Sequence, residues 1–181
     1  MSADDRRRWD ERYAAVDLAA GVGAPRLFAP HEHLFPTAGH ALELACGDGR
    51  AAVWMAARGL DVVACDVSPV AIARARARAT AHGVTDHCRF AVVDLDEGLP
   101  DGPPADVIVC HLFRDPALDA AIVERLAPGG LLAVAALSEV GAAPGSFRVA
   151  PGVLRRAFAA LDVVADGEGD GEAWLLATKA Q

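Results

Sequence analysis

The chain has 181 residues, which suits one domain with one core, and 53 % of them are hydrophobic. Its formal net charge of -8 argues against a protein that grips phosphate backbones through a basic face. No apolar run reaches the ~18 residues of a membrane span, and the start Met1–Arg8 is polar rather than a secretory signal. A cytoplasmic location, with no membrane and no nucleic acid as partner, is the expectation.

Residues 3–18 read as a polar helix with Trp9 and Tyr13 on one face. A short segment with Leu27, Phe28, Leu34 and Phe35 follows, bounded by prolines. Strand 41–45, helix 50–58, strand 61–65 and helix 69–82 come next, the last with Ser68 as its cap and Pro69 in its first turn. Strand 89–93, an exposed loop over 96–104, strand 106–110, helix 116–126, strand 131–136 and helix 151–160 complete the alternation. The runs 161–165 and 173–178 are separated only by acidic and glycine residues, 166–172, so they form a hairpin. The fold class is therefore α/β, a doubly wound, mostly parallel sheet with a C-terminal antiparallel strand.

Four cysteines stand at 46, 65, 88 and 110 with no C-x-x-C pair, and are read as small buried thiols. His31-x-His33 has no third ligand nearby and is read as packing or surface, not metal. Arg74, Arg76 and Arg78 read as a solvated helix face, and Asp48 as solvent-facing or a helix cap.

The chemistry is concentrated in Ala41-Leu42-Glu43-Leu44-Ala45-Cys46-Gly47-Asp48-Gly49-Arg50, a strand, a glycine turn and a helix start. Glycine permits a sharp turn and lets a ligand approach the main chain. A second apolar run, Val62–Cys65, ends on Asp66 about 20 residues past the turn, the position of a ribose-binding acid in nucleoside-binding α/β domains. Gly47-x-Gly49-x-x-Ala52 also satisfies a relaxed dinucleotide fingerprint, so a nicotinamide-dependent oxidoreductase is one alternative. Glu43 points elsewhere: a carboxylate four residues before Gly47 suits an ammonium and gains nothing beside a pyrophosphate. Asp94, ending the third strand, can accept from an adenine amino group.

These motifs, with Trp54, Asp61–Asp66, Leu126-Ala127-Pro128-Gly129-Gly130, Phe147-Arg148-Val149 and Leu175–Lys179, resemble class I S-adenosylmethionine-dependent methyltransferases. The nearest likeness is to the small tellurite-resistance and thiopurine type, over roughly residues 41–180. The resemblance implies S-adenosylmethionine as cofactor and S-adenosylhomocysteine as product. It implies that Glu43 orders the methionine ammonium, directly or through water. The backbone from Ala45 and Cys46 through Gly47 to Gly49 would line the methionine part. Asp66 would take the ribose, Val67 would flank the adenine, Asp94 and Leu95 would hold its edge, and the Cys110 carbonyl would face the ammonium. Ala45 departs from the glycine that many members carry.

His111, directly after the fourth strand, is the candidate general base, useful if the acceptor is a neutral hydroxyl. Trp9, Tyr13, Phe28, Phe113 and Phe147 are candidates for an apolar acceptor pocket, and Arg114 either binds an acceptor or pairs with Asp115. The Asn-Pro-Pro-aromatic signature of base-methylating enzymes is absent after strand four, where Cys110-His111-Leu112-Phe113 stands. The expected organisation is an N-terminal helical lid segment, 1–36, on an S-adenosylmethionine-binding domain, 37–181. The expected acceptor is a small, partly apolar molecule with an O, S or N nucleophile, or a metalloid oxyanion. A catalytically silent S-adenosylmethionine-binding scaffold remains an alternative, and monomer and dimer both stay open.

Overall fold

The computed structural model describes residues 3–15, 21–143, 145 and 147–181. In chain order the elements are α1 (Ala3–Ala14), β1 (Gly39–Leu44), α2 (Arg50–Ala57), β2 (Leu60–Asp66), α3 (Pro69–Ala81), β3 (Cys88–Val92) and β4 (Ala105–His111). Then follow α4 (Asp119–Arg125), β5 (Leu126–Ser138), β6 (Arg148–Val149), α5 (Val153–Ala157), β7 (Asp162–Gly169) and β8 (Glu172–Thr178). The expected first helix reached residue 18; its last part lies outside the described residues.

One sheet runs in the order β3-β2-β1-β4-β5-β8-β7, with β6 added beside β5. β1 to β5 are parallel, and β8 lies antiparallel to both β5 and β7. The chain moves outward from β1 to β3, then returns to place β4 on the other side of β1. That reversal opens a crevice at the carboxyl ends of β1 and β4, where an open α/β sheet takes its ligand.

Alternation along β1 divides the core. Leu42 and Leu44 join Ile108, Cys110, Leu132 and Val134 on one face, packed under Ile122, Leu154 and Phe158. Ala41 joins Val107, Val109 and Ala133 on the other, packed under Val53 and Met55 of α2, Ile72 of α3, Phe28 and Phe35. Side chains two apart on a strand share a face. Glu43 therefore follows Ala41, and His111 follows Val109, onto the face of α2 and α3. Phe28 is fully buried in that core rather than in an acceptor pocket.

Helix ends are fixed by local chemistry. Ser68 accepts from the Ala71 amide at 3.0 Å and Pro69 opens α3, as the sequence predicts. The Lys179 ammonium donates to the carbonyls of Val123, Glu124 and Leu126 at 2.9, 3.2 and 2.8 Å, a cation satisfying the last carbonyls of α4.

Two expectations change. The hairpin turn is not the seven-residue stretch 166–172. β7 continues to Gly169, and the reversal is made by Asp170 and Gly171, with φ 52 and 81. An Asp-Gly pair with both residues left-handed matches the twist of a two-residue hairpin. Arg78 is not a solvated residue, nor does Asp48 face solvent. They form a buried ion pair at 2.5 Å, and Arg78 Nε also donates to the Asp48 carbonyl at 3.0 Å. This pair ties α3 to the turn between β1 and α2.

Removing one partner of a buried pair leaves an uncompensated charge, worth about 3–5 kcal/mol. Arg78→Met is expected to lower unfolding stability by that order in denaturant titration, and Asp48→Asn in the same chain is expected to restore part of it. Stability unchanged in the single variant would contradict the pairing.

Candidate active site

The β1 strand ends at Leu44, a last bond from the Cys46 amide to the Cys65 carbonyl at 2.9 Å holds it to β2, and the chain then turns. Ala45, Gly47 and Gly49 adopt φ of 51, 54 and 76. The turn is braced from β2: Asp66 accepts from the Gly47 amide through one carboxylate oxygen and from the Ser68 amide through the other, both at 2.9 Å. A Cβ on Gly47 would stand 2.5 Å from the Tyr13 hydroxyl oxygen, so the glycine lets α1 close on the turn. α1 is held at its other contact by Ser68 Oγ, which donates to Asp10 at 2.5 Å.

These elements enclose a cleft of about 750 Å³. Trp9, Arg12 and Tyr13 line it from α1, Gly21 to Arg26 from the following segment, Glu43, Ala45, Cys46 and Gly47 from the β1 end, Asp66 from β2, and His111, Leu112 and Phe113 from beyond β4. Arg50 lines it as well and donates to the Gly21 carbonyl at 2.9 Å, which fixes the 21–26 wall. A smaller cavity of about 220 Å³ lies at the amino ends of the strands, around His40, Asp61 and Arg89, away from the turn.

Several expected residues are elsewhere. Gly49 is used for packing, since a Cβ there would meet Ala75 Cβ at 2.7 Å and block α2 against α3. Leu95 is buried in the core under Phe158, Val67 is also buried, and Asp94 accepts from the Asp96 amide at 3.1 Å. None of the three lines the cleft. The Cys110 side chain, as distinct from the carbonyl expected at the ammonium, points to the opposite face of the sheet, where its thiol lies 3.2 Å from the Phe113 carbonyl. Arg114 does not pair with Asp115: it is bound to Asp119 at 2.6 Å, with its guanidinium over the Phe158 ring. Asp115 instead accepts from the Ala117 amide at 2.9 Å. Phe147 is 73 % exposed with φ 69, and the Arg8 guanidinium lies over its ring rather than any cleft wall. His31 packs against Trp174 at 5.2 Å between ring centres. Sequence reading missed Arg12, Arg26 and Arg50, because helix and loop arginines carry no sign in the sequence of which way they point.

The electrostatics are set by burial. Glu43 is 5 % exposed and its Oε2 has no hydrogen-bond partner. Burial pushes its carboxyl up to about 8; the Ala52 amide opposes this, while Asp66 and Asp48 add to it. Asp66 is also raised, first by burial, against the amides of Ser68, Gly47 and Val67. Burial, with Asp66, Cys46 and Asp48 close by, raises the Tyr13 phenol. His111 is lowered by burial and then by Arg26, against Glu172, so it stays neutral at pH 7, and its Nε2 is buried without a partner. Burial likewise raises Cys65 and Cys110 to about 12 and Cys46 well above its ordinary value, so these thiols are packing groups rather than nucleophiles.

A strand-turn-helix floor with buried acids at the ends of adjacent β1 and β2 is matched by comparison with known proteins. The family described as "Methyltransferase domain" matches residues 41–130. The chain belongs to the class I S-adenosylmethionine-dependent methyltransferases. This replaces the nicotinamide alternative. The tRNA 5-carboxymethoxyuridine methyltransferase of Escherichia coli K12 is 35 % identical over 101 residues, which are 51 % of this chain and 38 % of that protein. This chain thus spans well under half of the curated relative's length. Among solved structures, TehB from Haemophilus influenzae superposes with TM-score 0.75 at 18 % identity, covering 96 % of this chain and 66 % of TehB. The DhpI–SAH complex superposes with TM-score 0.66 at 21 % identity, covering 96 % of this chain and 94 % of that one. At these identities the structures establish the fold: the Rossmann-like sheet with its added antiparallel strand.

Ala45 departs from the family's glycine at a left-handed position, where a Cβ costs roughly 1–2 kcal/mol. Ala45→Gly recovers that strain and gives back part of it as unfolded-state entropy, ~0.4–1 kcal/mol. The variant is expected to gain about 0.5–1 kcal/mol in thermal or urea unfolding. A loss of stability would mean that the Ala45 methyl is held by contacts worth more than the strain.

Proposed function

We propose that the cleft binds S-adenosylmethionine at the glycine turn and transfers its methyl group to a small acceptor held between the turn, the 1–36 segment and His111. The observation that carries this reading is the Glu43 carboxyl, 95 % buried by its 5 % exposure, with one oxygen unpartnered beside a cleft. A buried acid without a partner is costly, and an ammonium of opposite charge relieves that cost. Asp66, one strand away, offers carboxylate oxygens at the mouth of the same turn to vicinal hydroxyls. The turn around Gly47, covered by the Tyr13 hydroxyl, lines the same cleft and would take the methionine part. The residues present therefore fit the donor.

When bound, that donor supplies a methyl group on a positively charged sulfur, a leaving group that needs no acid. The chain's own work is then to hold two reactants in line, and positioning of this kind is worth on the order of 7–11 kcal/mol in favourable cases. The 1–36 segment supplies the movable walls: α1 with Trp9 and Tyr13, and the strip 21–26. The Glu43 and Asp66 side is assigned to the donor, and the His111 and Phe113 side to the acceptor. A tRNA acceptor, suggested by the Escherichia coli relative, fits poorly with a chain of net charge -8 and a match covering 38 % of that relative.

Asp66→Ala removes a charged hydrogen-bond acceptor, a loss of roughly 1.5–3 kcal/mol. S-adenosylhomocysteine is expected to bind the wild-type chain in calorimetry, NAD to give no heat, and the variant to bind about 10- to 100-fold more weakly, with folding verified by circular dichroism. An unchanged dissociation constant in a folded variant would restrict Asp66 to bracing the turn and capping α3.

A further inference from the structure

We propose that the methyl acceptor is a small organic carboxylate, gripped by Arg26 with His111 beside it and methylated on oxygen to its ester. This names the acceptor class for the same cleft and rests on the donor reading above.

The cleft is charged in opposite senses along the sheet. Of its acids, Asp66 and Glu43 stand at the ends of β2 and β1, and Asp48, in the turn after β1, is paired with Arg78. Arg26 is on the other side: its charge acts on His111 at the end of β4, and its Nη2 is bound to Glu172 of β8. Strands lie about 4.8 Å apart, so β2 and β8 are separated by four spacings, and the cation and the outer acid are far enough apart to serve different molecules. Arg12 on α1 adds a second guanidinium to the lining. Three lining arginines, counting Arg50, stand out in a chain of net charge -8.

The hydrogen-bond inventory narrows the acceptor. A guanidinium carries five N–H donors, and Glu172 takes one through Nη2, so Arg26 can present a further pair to a planar anion. The charged groups acting on His111 are Arg26 and Glu172, and the Phe28 ring packs edge-on at 5.9 Å. Its Nε2 is buried without a partner at the cleft wall, so in the appropriate tautomer its N–H is a donor left over for a second oxygen. An amine acceptor would meet the repulsion of Arg26. A neutral hydroxyl would need its proton removed. A carboxylate is already ionised at pH 7, matches the fork, and is itself the nucleophile. Its oxygen forms the new C–O bond as the S–CH3 bond breaks; the electron pair goes to sulfur, which becomes a neutral thioether, and no proton moves. His111 is then a positioning residue rather than a base.

The test uses the full chain saturated with S-adenosylhomocysteine, with benzoate, benzamide and inorganic phosphate as probes and the His111 ring resonances in NMR as the readout. Benzoate is expected to shift them saturably, with benzamide at least tenfold weaker. Arg26→Gln, at an exposed side chain, is expected to weaken benzoate by about tenfold or more, and Glu172→Gln, which releases Arg26, to tighten it. Equal response to benzoate and benzamide, no benzoate response, phosphate binding tighter than benzoate, or insensitivity to Arg26→Gln would each overturn the carboxylate assignment. Failure of S-adenosylhomocysteine to bind in the initial titration would instead overturn the donor reading on which it stands.

Discussion

The buried Glu43 carboxyl is the constraint around which the site is organised. It sits in the central strand, between two leucines that face the other layer, and one of its oxygens has no partner. Burial holds the acid protonated up to about pH 8, against the helping Ala52 amide and with Asp66 and Asp48 adding to the effect. Keeping the acid neutral avoids a buried charge at a cost in folding free energy that grows as pH rises, and the acid becomes a strong partner once a cation arrives. Its raised pKa has a definite sign for the empty protein: stability is full below the unfolded-state value of about 4.5 and falls as pH rises towards about 8.

Everything near this acid keeps the glycine turn in one conformation. Asp66 takes the amides of Gly47 and Ser68, so the same carboxylate braces the turn and starts α3. Arg78 reaches from the last turn of α3 to Asp48 and holds it by side chain and carbonyl. Gly49 lets α2 sit against Ala75 of α3, and Gly47 lets Tyr13 sit on the turn from outside. A packed interior does not deform continuously, so these contacts deliver a preorganised floor rather than one assembled on binding. The wall above it, α1 and 21–26, is attached to this floor through bonds that include Arg50 to Gly21 and Ser68 to Asp10.

The sheet was legible in the sequence because strands alternating with amphipathic helices leave little choice of topology, and the helix-free C-terminal interval forces a hairpin. The glycine turn and its two acids were legible because their residue types are unusual where they stand. The Arg78–Asp48 pair was not, since helical spacing says which residues share a face but not which face is inward. The Asp170-Gly171 reversal carried a known turn signal, yet it was masked by Gly167, Gly169 and three neighbouring acids that also read as loop. Phe28 read as a pocket residue because its proline-bounded segment has no period; only the fold reveals that it fills the core beside His111. Arg26 was invisible for the same reason, and Arg114 turned inward because Asp119 and Phe158 lie behind it.

The account stands or falls on whether Glu43 meets a cation in the cleft, and proton-linked calorimetry tests this directly. S-adenosylhomocysteine titrated at pH 7 in buffers of different ionisation heat should release close to one proton per site, because the ligand's ammonium ionises a carboxyl that is protonated when alone. In Glu43→Gln the release should vanish and the affinity should fall. Binding without proton release in the wild-type chain, or with the same release in the variant, would show that the buried carboxyl does not hold the donor.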